Sequence, residues 1–227
     1  MPLLSVIIPV YNEVSTLKDI LEKVSAVKID KEIIVVDDGS RDGTVGLLSG
    51  MEGKDIKIIY CVKNRGKGAA LLTGIENARG EFIIPQDADL EYDPQDYLAL
   101  VDCATKGNLS VVYGSRFLKT RKATAFWHYL ANKLLTVFTN LLFGSALTDM
   151  ETCYKLVKLD LIKKLELSSK RFEIEPEITA KLLKRGYKIT EIPISYKSRF
   201  YHQGKKIGWQ DGISSMLCLL KLRLLRD

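Results

Sequence analysis

The stretch Ile83 to Pro94, IIPQDADLEYDP, closes an apolar run with acids at alternate positions: Asp87, Asp89, Glu91 and Asp93. Carboxylates at i and i+2 beyond a strand end can face one hard cation together. Mg²⁺ is typically held by one or two carboxylates plus phosphate oxygens and water. A polar loop that merely ends a buried strand has the same composition, so the spacing alone leaves both readings open. A second acidic pair, Asp37-Asp38 in VVDDGSRDGT, follows another apolar run. Adjacent acids there can bond a ribose or a base. They also suit a turn and a helix cap, and Asp42 and Thr44 are expected to be capping residues. Between the two acidic stretches lies KNRGKGAA, Lys63 to Ala70. It lacks both the G-x-x-x-x-G-K-[ST] and the G-x-G-x-x-G spacings of phosphate-cradling loops, although Lys67 offers positive charge to a nucleotide. Farther on, Asp149 and Glu151 in TDMET are carboxylates able to act as a base toward a sugar hydroxyl or to cap a helix. The two histidines, His128 and His202, stand at no metal-binding spacing, and no Ser-His-Asp order is visible.

These residues need a frame that brings them together. Leu3 to Val10 is a β-branched run and reads as a buried strand, followed by helical spacing at Leu17, Ile20, Leu21 and Val24. Strands are expected at Glu32 to Val36, Ile56 to Val62, Glu81 to Pro85 and Leu109 to Tyr113. Helices are expected at Thr44 to Met51, after KNRGKGAA to Ala78, and at Tyr97 to Ala104. Such alternation predicts an α/β fold with a mostly parallel sheet and helices on both faces. Ligands of such sheets bind beyond the carboxyl ends of the strands, where Tyr11-Asn12-Glu13, Asp37-Asp38, Asn64-Arg65 and Asp87-Asp89 all fall.

After Arg116 the pattern changes. Ala125 to Phe143 is a long apolar segment with Trp127, Leu130, Leu134, Phe138 and Leu141 along one helical face, preceded by the basic residues Lys119, Arg121 and Lys122. Met216 to Asp227, MLCLLKLRLLRD, is again apolar and basic. Both suit helices packed on the sheet, and both suit helices lying in a membrane interface, where basic residues meet anionic lipid.

Composition narrows the classes. The 227 residues, 46% hydrophobic, supply core enough for one domain. A net charge of +6 fits nucleic acid, an anionic membrane surface or phosphorylated substrates. Cys61, Cys103, Cys153 and Cys218 are scattered without a C-x-x-C pair, which argues against a zinc or disulfide framework and for a reducing compartment. The N-terminus reads as a first strand rather than a signal peptide. No apolar run reaches the roughly 18 to 20 residues of a spanning helix.

In order, SVIIPVYNE, IIVVDDGSRDGT, NRGKGAA and QDADLEYDP resemble the inverting family 2 glycosyltransferases of GT-A fold, from Leu3 to about Arg116. YGSRF, TDMETCYKL, EIPISYKSR and GKKIG are similar to the polyprenyl-phosphate hexosyltransferases, that is, the dolichyl-phosphate mannose and glucose synthases and their prokaryotic relatives. The resemblance implies one domain over 1–227, with a nucleotide-sugar half at 1–116 and an acceptor half at 117–227. It implies that Pro9, Tyr11, Glu13, Asp37 and Asp38 hold base and ribose. Asp87 would contact nucleotide and sugar, with Ala88 and Lys67 in the same donor site. Asp89 would bind Mg²⁺ or Mn²⁺, with Glu91 as a second ligand where the mannose enzymes often carry Gln. Arg116, Arg199 and Lys206 would face phosphate groups, and Asp149 and Glu151 would orient acceptor or sugar.

The implied reaction is inverting transfer of mannose or glucose from a UDP- or GDP-sugar to a polyprenyl phosphate. The enzyme would be peripheral on the cytoplasmic membrane face, with a membrane-anchoring subunit as a further partner and no nucleic acid. A transferase acting on a glycan hydroxyl and a nucleotidyltransferase are the alternatives. RFYHQGKKIG differs from the R-x-x-G-x-S-K of many mannose synthases, and TDMETCYK matches neither the mannose nor the glucose pattern, so donor sugar and base stay open.

Overall fold

The computed structural model describes residues 1–51, 53, 55–118, 126–198 and 209–225, and in 126–128 and 209 the backbone alone. Arg199, Lys205, Lys206, Lys119, Arg121 and Lys122, and the side chain of Trp127, lie outside the described residues.

The β-branched runs form strands: β1 (Leu4–Val10), β2 (Lys31–Asp37), β3 (Ile56–Tyr60) and β4 (Phe82–Pro85). Between them lie α1 (Leu17–Ala26), α2 (Thr44–Leu48) and α3 (Lys67–Asn77). Then come α4 (Asp96–Lys106), β5 (Val111–Ser115) and α5 (Phe126–Phe143). β6 (Lys155–Lys158), α6 (Leu159–Lys164), α7 (Ile174–Lys184), β7 (Thr190–Pro193) and α8 (Trp209–Leu224) complete the chain. The seven strands form one sheet in the order β3-β2-β1-β4-β6-β5-β7. The pairs β1–β2, β1–β4, β2–β3 and β5–β7 are parallel, and β6 runs antiparallel to both its neighbours.

The period of two along β1 divides the core. Leu4, Val6, Ile8 and Val10 pack under α1 and α4, whereas Ile7 points to the opposite face with α3, α6 and α7. A third cluster joins α5, α7 and α8 through Leu135, Ala180 and Leu219. At the amino edge of the sheet, buried Glu32 ties three elements together. It accepts bonds from Ser5 Oγ at 2.6 Å and from the Arg79 backbone N–H at 2.6 Å, and it pairs with the Arg79 guanidinium.

Two strands depart from the sequence expectation. β6 reads KLVK, and a strand ending in lysines carries little apolar signal. It nevertheless sits between β4 and β5, and its Lys155 is 1% exposed. The ammonium there donates to Met150 O at 2.5 Å and lies 4.3 Å from the centre of the Tyr113 ring. β7 is the short TEIP segment at the sheet edge. The capping alternative for Asp149 and Glu151 is also corrected, because the segment they open leads into β6, not a helix.

Candidate active site

Because β1, β2, β3 and β4 are parallel, their carboxyl ends share one edge, and the polar residues that follow them meet there. A cavity of about 1050 Å³ opens at this edge and runs on between α5 and α8. From β1 it is lined by Pro9, Tyr11 and Glu13, and beyond β2 by Asp38. Asp87, Ala88, Asp89 and Glu91 line it after β4, and Arg116 after β5. Lys67 and Glu151 complete the sequence-predicted residues on its wall. Asp37 and Asp149 lie behind that wall.

The acidic pair after β2 is built into its loops. Asp38 accepts the Arg65 N–H at 2.9 Å and the Gly66 N–H at 2.7 Å, so it anchors the NRG turn. Burial pushes its carboxyl above the ordinary range, against the opposing pull of the Arg65 and Gly66 N–H groups. Asp37 accepts Gly39 and Ser40 N–H groups at 3.1 Å with one oxygen. Its other oxygen is buried without a hydrogen-bond partner among the described residues. Asp42 accepts from Thr44 and from the Val14 N–H, joining the loops after β1 and β2 rather than serving as the helix cap, which is Gly43.

The glycines of NRGKG meet protein backbone. A Cβ on Gly66 would lie 2.5 Å from Lys170 O, and one on Gly68 2.3 Å from Ser169 O. This close approach lets the first turn of α3 reach the segment before α7. Lys67 thereby bridges two carboxylates, Asp87 at 2.7 Å and Glu175 at 2.8 Å. Burial opposes the Lys67 charge, but Asp87 and Glu175 outweigh it and hold the ammonium well above its ordinary range.

In the DADLEYD turn, Leu90 takes a φ of 63°, a conformation that a bulky side chain rarely adopts. The Glu91 N–H donates to Asp89 Oδ1 at 3.1 Å, and the Tyr196 hydroxyl donates to Glu91 at 2.5 Å. Asp93 is a turn residue, its carboxylate accepting the Gln95 N–H at 3.0 Å. Among the described residues no group of three or more His, Cys, Asp or Glu is placed to hold a metal. Asp89 with Glu91 is therefore no all-protein cage.

Arg116 lines the same cavity as the acids after β4 and the apolar residues of α5 and α8. Its Nε and one terminal nitrogen donate to the two oxygens of Asp149, both at 2.7 Å, and its backbone N–H adds a third bond at 3.0 Å. The guanidinium also lies near the rings of Phe117 and Tyr196. Asp149 is wholly buried and holds the arginine in place. Burial opposes the Arg116 charge, and Asp149 more than restores it. Glu151 has a buried oxygen without a partner among the described residues, and burial together with the Glu175 charge raises its carboxyl to about 7.

Glu175, Arg171 and Cys153 also line the cavity and were not singled out in the sequence. Glu175 and Arg171 lie in SKRFEIEPEI, where acids and bases alternate with apolar residues as on any amphipathic helix. The usable signal was Glu175 on the buried side of that pattern.

A model of the Glycosyl transferase family 2 matches residues 5–166. The chain belongs to glycosyl transferase family 2. This transferase is 28% identical over 203 residues to the dodecaprenyl-phosphate galacturonate synthase of Rhizobium johnstonii, covering 86% of this chain and 59% of the relative. It is likewise 28% identical over 212 residues to the undecaprenyl-phosphate 4-deoxy-4-formamido-L-arabinose transferase of Pseudomonas aeruginosa, covering 89% of this chain and 60% of the relative. The chain thus spans about three fifths of the length of these curated relatives. Among solved structures it is similar to glucosyl-3-phosphoglycerate synthase of Mycobacterium tuberculosis. The complex with UDP superposes with a TM-score of 0.76 at 18% identity, over 100% of this chain and 82% of the other. The complex with Mn²⁺, UDP and phosphoglyceric acid gives 0.73 at 19%, over 100% and 80%. These likenesses establish the GT-A fold of the family 2 transferase.

Proposed function

We propose that this transferase moves a hexose, mannose or glucose, from a UDP- or GDP-sugar to a polyprenyl phosphate, with inversion at the anomeric carbon. One observation carries the reading. A single cavity is lined by the carboxylate-rich strand ends, by Arg116, and by an apolar wall made by Leu134, Val137 and Leu141 of α5 with Ile213 and Met216 of α8. Such a cavity accommodates a charged donor at one end and an isoprenoid at the other. The named activities of the two relatives, both on polyprenyl phosphates, support it.

The chemistry follows from charge. The leaving group is a nucleoside diphosphate whose negative charge grows in the transition state. A Mg²⁺ or Mn²⁺ ion, when bound, supplies Lewis-acid stabilisation of that charge. Asp89 would hold it, with Glu91 beside it, and the Mn²⁺ and Mg²⁺ complexes of the mycobacterial enzyme with UDP support that use. Pro9, Tyr11, Glu13 and Asp38 frame the space for base and ribose, and Asp37 stiffens the loop behind them. The acceptor phosphate is already ionised near neutral pH, its second pKa being about 6. It needs no strong base. It needs a cation that positions it against a second anion, and Arg116, pre-set by Asp149, meets that need. Arg199 and Lys206 are proposed as further phosphate contacts. Ser195 to Lys197, just before Arg199, is pinned beside the acidic turn by the Lys197 N–H to Glu91 O bond at 2.8 Å.

Among the described residues no helix is long and apolar enough to cross a membrane. The proposed position is peripheral on the cytoplasmic membrane face, with or without an anchoring subunit, and the polyprenyl-phosphate activities named for the two relatives support a membrane acceptor. The test is product analysis with UDP- and GDP-hexoses, Mn²⁺ or Mg²⁺, and either polyprenyl phosphate or a soluble glycan. A sugar-phospholipid with release of UDP or GDP is expected, and Asp89→Ala should abolish it. Product on the glycan alone would move the protein to hydroxyl transfer, and release of pyrophosphate would make it a nucleotidyltransferase.

A further inference from the structure

On the cavity wall lies a group of side chains that the proposed chemistry does not use. Glu175, on α7, is 6% exposed, and Glu151 lies in the segment before β6. One oxygen of Glu175 pairs with Lys67, and its other oxygen is buried with no partner among the described residues. Glu151 also has one such oxygen. Both side chains line the cavity. Leaving even a neutral acceptor buried and unbonded costs about 1 to 3 kcal/mol, more for a charged one, so two adjacent orphans ask for a ligand that brings donors.

Among the cations nearby, Arg116 is held by Asp149, Arg171 is exposed, and the two lysines are engaged. Lys67 is shared between Asp87 and Glu175, and Lys155 donates to Met150 O over the Tyr113 ring. At the two buried, unpaired oxygens the surplus is therefore in acceptors. Lys67 also fixes the location, because the same ammonium touches Glu175 and Asp87, the first acid of the donor motif.

We propose that Glu151 and Glu175 form the subsite for the donor's hexose, accepting hydrogen bonds from its hydroxyls, and that this acidic wall selects a neutral sugar over a uronic acid. The inference rests on the reading of the cavity as a nucleotide-sugar site. A hydroxyl at C6 donates into the wall. Above about pH 7, where Glu151 has lost its proton, a carboxylate at C6 presents acceptors to acceptors and a like charge in a poorly solvated space. The two carboxyls are then specificity-determining residues of the donor site, one from the segment before β6 and one from α7.

The test uses donor pairs that differ in C6 oxidation alone: UDP-glucose with UDP-glucuronate, UDP-galactose with UDP-galacturonate, and GDP-mannose with GDP-mannuronate. Binding to the intact protein in Mn²⁺ is measured by calorimetry at about pH 8, above the value to which Glu151 is raised, with UDP and GDP alone as references. The alcohol of the preferred pair is expected to bind at least tenfold more tightly than its uronate. In Glu151→Gln and Glu175→Gln that ratio should narrow to threefold or less, with folding of each variant checked by its melting temperature. The wild-type ratio needs no variant to fold. A uronate bound as tightly as its alcohol overturns the inference while leaving the nucleotide-sugar site standing. So does a ratio unchanged in both folded variants. Failure of UDP and of GDP to bind overturns the functional reading itself.

Discussion

At the residue scale, Glu151 makes a prediction with a definite sign. Its ordinary value is 4.5, and burial with the Glu175 charge raises it to about 7, with Lys155, Arg116 and Asp149 also facing it. Between those values the unfolded chain has lost the proton and the folded chain keeps it, so stability falls as pH rises through that window. In chemical denaturation from pH 4.5 to 7, wild type should carry a loss of about 2 to 3 kcal/mol that Glu151→Gln lacks. Parallel curves for the two proteins would contradict the assignment. Asp149 makes a second prediction. Asp149→Ala leaves the Arg116 guanidinium buried without its partner, which costs about 3 to 5 kcal/mol of stability by urea titration. The milder Asp149→Asn should keep the fold and raise KM for the acceptor phosphate far more than KM for the donor, since Arg116 is proposed to hold the acceptor. An equal rise in both would make Asp149 a plain structural residue. The acids at alternate positions were legible because a strand end exposes them in one short stretch. Glu175 was not, because its role comes from Lys67, which meets it only once α3 and α7 have packed.

At the element scale, β1 to β4 were legible because β-branched runs have no other economical fate than a sheet buried on both faces. β6 escaped because its lysines mask it, and because an antiparallel strand inserted between β4 and β5 is decided by long-range pairing. The helices α5 and α8 were legible as helices, but their orientation was not. Leu130, Leu134, Val137 and Leu141 form an exposed stripe along α5, while Phe138 packs inward. On α8, Ile213, Met216, Leu217, Leu220 and Leu224 form a second exposed stripe, with Lys221 and Arg223 in its last turn. Two adjacent apolar stripes flanked by basic residues suit the interface of an anionic bilayer. The double substitution Leu134→Glu with Leu217→Glu should lower sedimentation with anionic vesicles at least tenfold. It should change folding stability by no more than about 1 kcal/mol, because both side chains are exposed. Vesicle binding equal to wild type would return the two helices to a purely structural role.

At the scale of the whole molecule, the two halves expected on either side of Arg116 are interlocked. β6, from the second half, completes the sheet between strands of the first, and Glu151 and Glu175 line the same cavity as the loops after β1 and β4. Arg116 lines the same cavity as the apolar residues of α5 and α8, and the proposed nucleophile is an anion that this cation can hold. The account stands on the acceptor's phosphate being both the anchor on Arg116 and the attacking group. The most direct measurement compares sugar transfer from the preferred donor to a polyprenyl phosphate and to the corresponding free polyprenol, in the same vesicles and at the same acceptor concentration. Labelled lipid from the phosphate, with polyprenol giving less than about a thousandth of that rate, is the predicted result. Equal labelling of the free polyprenol would contradict the account.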